Sequence, residues 1–250
     1  QFGLVGSEMC IRDRPKPHTL FTSILMTLIA SIQKISKNYH QGGKKVEVLY
    51  QLSLQVKKGE SVAILGQSGS GKSTFLSLLA GLDQPDFGTI SIVDTDLTQM
   101  KQEELARFRS KNLGIVFQQY HLMSNLTALE NVSLPLELQR RKEAEKQARI
   151  ALNQVGLSHR LSHLPAELSG GECQRVAIAR AIVTKPGLIL ADEPSGNLDG
   201  KTGHEVMDLL FTLCKEQEQT LILVTHNQEL SKLCDRCLHL REGRLFAHKT

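Results

Sequence analysis

The chain contains no uninterrupted apolar run approaching the roughly 18 residues that a membrane-crossing helix needs. Nothing in it reads as a bilayer span. Excess charge is also small: the net charge is +4 over 250 residues, and the basic residues are scattered. Without a basic stripe, a nucleic-acid partner is not expected. Cysteines are few, five in all. An odd number without framework spacing suits a reducing cytosol better than a disulfide scaffold. Cys234 and Cys237 form one C-x-x-C, but no second pair follows. Leu238-His239-Leu240 beside it reads as strand, so packing is its expected role. No internal repeat is present. What remains is enough chain for a sizeable core, or for one domain with an inserted lobe.

Against these absences stands one strong pattern, Gly66-Gln67-Ser68-Gly69-Ser70-Gly71-Lys72-Ser73. It matches the phosphate-binding loop G-x-x-x-x-G-K-[ST]. The apolar run Val62-Ala63-Ile64-Leu65 enters it as a buried strand would, and the residues from Thr74 to Ala80 leave it as a helix. Glycines at 66, 69 and 71 let successive N–H groups, with Ser68 and Ser70 between them, face one anion. The helix that follows, with Thr74 in its first turn, adds its positive end. Lys72 is expected to reach the β- and γ-phosphates and Ser73 to ligate Mg²⁺.

Two further segments define the chemistry. Ser169-Gly170-Gly171 opens a second helix, and so offers a second anion site in one chain. Two separate sites serve one phosphate group if subunits pair head to tail, each closing the other's nucleotide. Leu188-Ile189-Leu190-Ala191 is an apolar strand that ends in Asp192 and Glu193. Asp192 is expected in the Mg²⁺ shell, and Glu193 is expected to polarise the attacking water.

With these motifs the chain resembles the ATP-binding subunits of ABC transporters over about residues 29–246. Phe117-Gln118 is similar to the family's Q-loop, which implies that Gln118 senses the γ-phosphate and Mg²⁺. Ser195-Gly196-Asn197-Leu198-Asp199 is similar to the D-loop, which implies Asp199 at the dimer interface. Leu223-Val224-Thr225-His226 is similar to the switch strand, which implies that His226 contacts the γ-phosphate. Tyr39 matches the aromatic that stacks on adenine. The segments Gly81-Leu82-Asp83, Leu126 to Val132 and Ala191 to Asp199 look like the lipoprotein-release and macrolide-export group (LolD- and MacB-like). Leu161 to Glu167 and the ending Cys234 to Leu238 are most similar to its YbbA type. Two residues depart from the pattern: Cys173 stands where glutamine is usual, and Ser195 where threonine is usual. Neither is expected to do chemistry.

The resemblance implies an α/β P-loop NTPase fold with a parallel core sheet, an antiparallel β lobe and an inserted helical lobe. Strands are expected at Ala30 to Ser36, Val46 to Val56 and Gly88 to Val93. Lys101 to Arg109 reads as an exposed charged helix. The helical lobe is expected at about 119–181, Thr202 to Cys214 as a crossover helix, and Leu188 to Asp192 and Thr220 to Thr225 as parallel strands. Residues 26–250 make up the ATPase domain. Residues 1–25 are set apart as a non-native or disordered leader. Within them, Val5 to Arg14 looks like translated sequencing-adapter read-through, and Met26 is the expected start. The apolar stretch Leu20 to Ile32 has a signal peptide as its rival reading, but no small-residue cleavage site follows.

The implied activity is Mg-dependent ATP hydrolysis that powers separate integral membrane permease subunits. The implied assembly is a head-to-tail dimer at the cytoplasmic face of the bacterial inner membrane. Apolar residues in Tyr120 to Leu126, Leu122 and Met123 above all, suggest where a permease docks. The alternative is a soluble ABC ATPase not engaged in transport. Translation-type members carry two units per chain, and repair-type members carry a long coiled coil. This chain has one unit and no sustained heptads between Gly71 and Ser169.

Overall fold

The computed structural model describes residues 27–247, so the expected leader and Met26 lie outside the described residues. Four strands form an antiparallel sheet. Leu28–Gln41 (β1) pairs with Lys44–Lys57 (β2) and with Phe87–Ile92 (β4), and Thr95–Asp96 (β5) completes the order β2-β1-β4-β5. The hairpin runs further than its apolar alternation indicates. Its outer end is exposed from Lys44 to Glu47, and is held by pairing from Asn38 opposite Glu47 to Gln41 opposite Lys44. Register shifts bend it near Lys34 and Gln51, both at positive φ. The displaced amides stay satisfied: Lys34 donates to Ser53 Oγ at 2.9 Å and Gln51 to Ser36 Oγ at 2.9 Å.

The second sheet contains Ser61–Leu65 (β3), Leu113–Phe117 (β6), Leu188–Asp192 (β7), Thr220–Thr225 (β8), Arg236–Arg241 (β9) and Arg244–Ala247 (β10). Its order is β10-β9-β3-β8-β7-β6, with every pair parallel except β9–β10. The two sheets meet where Tyr50 N–H donates to Gly243 O at 2.9 Å. β3, β7 and β8 are near-continuous apolar runs because both faces of this sheet are covered. Successive residues go to different cores. Leu188, Leu190, Ile222 and Val224 join one cluster with the antiparallel sheet and Lys72–Leu79 (α1). Ile189, Ala191, Leu221 and Leu223 join the other.

That second cluster is built by helices. Ala128–Leu138 (α3), Ala144–Gln154 (α4) and Gly170–Ile182 (α5) lie between β6 and β7 in the chain, and Gly200–Glu216 (α6) crosses from β7 to β8. The helix expected at Lys101 to Arg109 spans Gln102–Asn112 (α2). It is not exposed all round: Leu105 and Phe108 are buried in the first cluster. Their spacing of three is a one-sided helical stripe within a charged sequence. Gln228–Ser231 (α7) is a short helix after β8.

Among the described residues, the C-x-x-C behaves as packing. Cys234 lies against the helical cluster, and burial pushes its thiol up to about 12, with Cys237 and Asp235 adding to the shift. Such a thiol is a poor nucleophile and metal ligand.

Candidate active site

Four parallel strands end on one line. Leu65 is opposite Thr225, Asp192 opposite Val224, and Phe117 opposite Asp192. Gly66, His226, Glu193 and Gln118 each begin the segment just past β3, β8, β7 and β6. The register therefore brings residues 66, 118, 193 and 226 together at the carboxyl ends of the sheet, where open α/β sheets bind ligands. A cavity of ≈ 790 Å³ opens there. Tyr39, Gly69, Lys72, Ser73, Thr74, Gln118, Asp192, Glu193 and His226 are in its wall.

The loop of residues 66–71 leads directly into α1. Gly71 precedes the helix at φ 99, and a Cβ there would lie 3.0 Å from both Leu49 and Val48 side chains. Glycine is required on both counts. The Lys72 ammonium is buried and folded onto the loop. It donates to Gly66 O and Gln67 O, each at 3.0 Å, and stands 3.6 Å from Glu193 Oε1.

Glu193 follows β7 at φ 43, an uncommon conformation for a residue with a side chain. Its amide donates to Val224 O at 2.9 Å, which fixes the turn. The other carboxylate oxygen, Oε2, lies 2.7 Å from His226 Nδ1. One carboxylate thus links the loop lysine and the histidine. Asp192 accepts a hydrogen bond from Ser73. Burial holds its carboxyl above the ordinary carboxylate value, and neighbouring Glu193 adds to this, while Ser73 and Lys72 oppose it.

Tyr39 is half-exposed at the mouth. Its hydroxyl donates to Asp83 Oδ2 at 2.7 Å, and Asp83 Oδ1 pairs with Lys37 Nζ at 2.7 Å. Gln118 is held by Asn197: Gln118 Nε2 donates to Asn197 Oδ1, and Asn197 Nδ2 to Gln118 O, both at 3.0 Å. Asp83 and Asn197 fall within family-like segments, but the sequence assigns them no task. They are local polar residues whose partners lie 44 and 79 positions away.

Ser169, Gly170, Gly171 and Asp199 do not line this cavity; Gly66 and Ser70 line an adjoining cleft that shares Gln67, Ser68, Gly69 and His226 with it. Ser169 caps α5, accepting from Glu172 N at 3.3 Å, while Glu172 Oε2 accepts from Ser169 N and Oγ at 2.8 Å each. Those bonds, helped by Arg160, lower the Glu172 carboxyl to about 2. At Gly171 a Cβ would meet Thr202 Cγ2 at 2.5 Å, so α5 and α6 touch there. Asp199 caps α6 through Thr202 N at 3.1 Å. Cys173 is buried beside Pro165 O, away from the cavity.

The segment after Gln118 is tied down by two residues that the sequence reading passed over. Arg180 donates to Tyr120 O at 2.7 Å and His121 O at 2.6 Å. Fully buried Asn131 accepts from Met123 N at 2.8 Å and donates to the carbonyls of Met123, Leu126 and Thr127. A lone asparagine within the apolar pattern of α3 was the available signal. Leu122 is half-buried against the helical core, whereas Met123 is 50% exposed. The two residues therefore do not form one exposed patch.

The family described as ABC transporter matches residues 49–196. The lipoprotein-releasing system ATP-binding protein LolD of Legionella pneumophila is 48% identical over 224 residues, covering 89% of this chain and 99% of that protein. The uncharacterized ABC transporter ATP-binding protein YbbA of Escherichia coli K12 is 48% identical over 219 residues, covering 87% and 96%. Among solved structures, the cassette MJ0796 as a post-hydrolysis dimer bound to ADP and Pi has a TM-score of 0.82 at 38% identity, covering 88% of this chain and 98% of that one. CbiO1 from Clostridium perfringens, part of the cbiONQ transporter complex, has a TM-score of 0.78 at 30% identity, covering 88% and 87%.

Proposed function

The chain belongs to the ABC transporter family, and from that premise we propose that this cavity hydrolyses ATP to drive a separate membrane permease. The carrying observation is the single carboxylate, Glu193, set between the loop lysine at 3.6 Å and His226 at 2.7 Å. Lys72 and the loop amides hold the phosphates. Glu193 accepts a proton from the attacking water, His226 orients Glu193 and reaches the γ-phosphate, and Tyr39 stacks on adenine.

Ser73, Asp192 and the amide oxygen of Gln118 fit Mg²⁺. They are hard oxygen donors, and the Gln118 amide nitrogen is already engaged by Asn197. Asp192 is half-buried beside a second carboxylate, a place that favours a divalent cation. When bound, Mg²⁺ neutralises charge developing on the transferred phosphoryl group. Lys72→Ala is expected to weaken ATP affinity by about tenfold or more, since a charge-assisted hydrogen bond contributes about 1.5–3 kcal/mol. Titration with a fluorescent ATP analogue measures this, and unchanged affinity overturns the phosphate assignment.

Ser169, Gly170, Gly171 and Asp199 stand outside the cavity of their own chain, which supports a head-to-tail dimer in which each signature helix faces the partner's nucleotide. The relatives' names, LolD and YbbA, support a permease partner. Among the described residues no helix is long and apolar enough to cross a membrane. From the permease partnership, we place the protein peripherally, at the cytoplasmic face of the inner membrane.

The permease docks at the segment after Gln118 through Met123 rather than Leu122. Met123→Asp is expected to leave the melting temperature nearly unchanged and to abolish co-purification with the permease. Leu122→Asp is expected to cost about 2–4 kcal/mol of stability, because it puts a charge against the helical core. Thermal melts and pull-downs separate the two, and a large stability loss in Met123→Asp reverses the assignment.

A further inference from the structure

The cap that faces the partner's triphosphate carries an acid. Glu172 Oε2 takes both the N–H and the hydroxyl proton of Ser169, so a carboxylate sits directly behind the group meant to receive phosphate. Like charges brought together in this way oppose closure of the dimer. Arg160 answers that charge. Its Nε lies 2.8 Å from Glu172 Oε1, the oxygen not used by Ser169. Arg160 is itself held, with Nη1 3.0 Å from His163 Nε2. An arginine only donates, so Nε2 is the accepting atom in this contact. The backbone ties this unit to α3: Ala128 N–H donates to His163 O at 2.8 Å, and Leu129 N–H to Leu161 O at 3.0 Å.

We propose that Arg160 is a positioning residue for the partner's ATP: it neutralises Glu172 and holds it on Ser169, so that the cap accepts a triphosphate. Arg160 touches neither substrate nor cavity, and acts through Glu172. The inference rests on the reading of Ser169 as the lid of the partner's nucleotide.

The test uses the full chain in a Glu193→Gln background and reads the ATP concentration that gives half-maximal dimer by light scattering. Arg160→Met is expected to raise that concentration on the order of tenfold at low salt and less at high salt, as an electrostatic cause requires. Arg160→Lys keeps the charge and stays within about threefold of the parent. Glu172→Gln keeps an oxygen for Ser169 and requires no more ATP than the parent. Adding Arg160→Met to Glu172→Gln changes little further, because the charge to be neutralised is gone. Affinity of the monomer for a fluorescent ATP analogue is unchanged throughout.

If the Arg160→Met effect is equally large with and without Glu172→Gln, Arg160 acts through packing and the inference is wrong. A requirement for tenfold more ATP in Glu172→Gln alone also overturns it, and this result does not depend on Arg160→Met folding. Ser169→Arg in the same background separates the two levels. If it dimerises like the parent, the lid reading fails; if it blocks dimerisation while Arg160→Met is silent, only the role of Arg160 fails.

Discussion

Glu193→Gln is expected to bind ATP normally and to lose hydrolysis by about 10²-fold or more, the scale of a general base. The side chain keeps its length and its place, because the turn is fixed by the backbone bond to Val224. What changes is the ability to take a proton. An amide still meets His226 at the 2.7 Å position, but it cannot accept the proton of the attacking water. Lys72 loses its nearest carboxylate, so affinity for the phosphates does not fall. Binding closes the dimer and hydrolysis reopens it, so the variant accumulates as an ATP-bound dimer. Phosphate-release assays and light scattering read the two effects. Turnover near the parent's removes Glu193 as the base.

Ser169→Arg is expected to abolish turnover to a similar degree, on the order of 10², because a bulky cation replaces the small cap that closes over the partner's nucleotide. Loss of the helix cap costs only about 1 kcal/mol, so the fold survives. Ser169 does not line the cavity of its own chain, and ATP binding by the monomer is expected to be intact. The arginine instead places bulk and charge at the closing surface. Mixing this variant with Lys72→Ala sharpens the result. Each heterodimer then contains at most one complete site, and partial activity returns. Two inactive variants that remain inactive when mixed, although both fold and the parent dimerises, would speak against shared sites.

Legibility of the sequence followed the range of the interactions. The phosphate loop, the acid pair at the end of β7 and the histidine after β8 each lie at the end of a buried strand, whose apolar run is visible locally. The parallel register that brings them level is long-range, and only the family resemblance supplied it. The hairpin ends were underestimated because residues 40–45 are polar or glycine, and such a stretch lacks alternation. Lys101 to Arg109 looked exposed because its charges outnumber Leu105 and Phe108. Asp83, Asn131, Asn197 and Arg160 stayed silent for a different reason. A lone polar residue does not announce which group it will meet in the fold: Asp83 meets Tyr39 and Lys37, Asn131 the carbonyls of the preceding turn, Asn197 Gln118, and Arg160 Glu172.

The folded-back Lys72 has a thermodynamic consequence. A lysine side chain carries about 2 kcal/mol of rotamer freedom, which a ligand must ordinarily suppress when it fixes the ammonium. Here two of the three N–H donors are already fixed by Gly66 O and Gln67 O at 3.0 Å, which leaves one donor with a defined direction. Association with a phosphate therefore orders little that is not ordered already, and most of the contact energy appears as affinity. Arginine at position 72 would keep the charge, but its donors lie in one plane, so the two loop carbonyls and a phosphate would have to share that plane instead of meeting a compact ammonium.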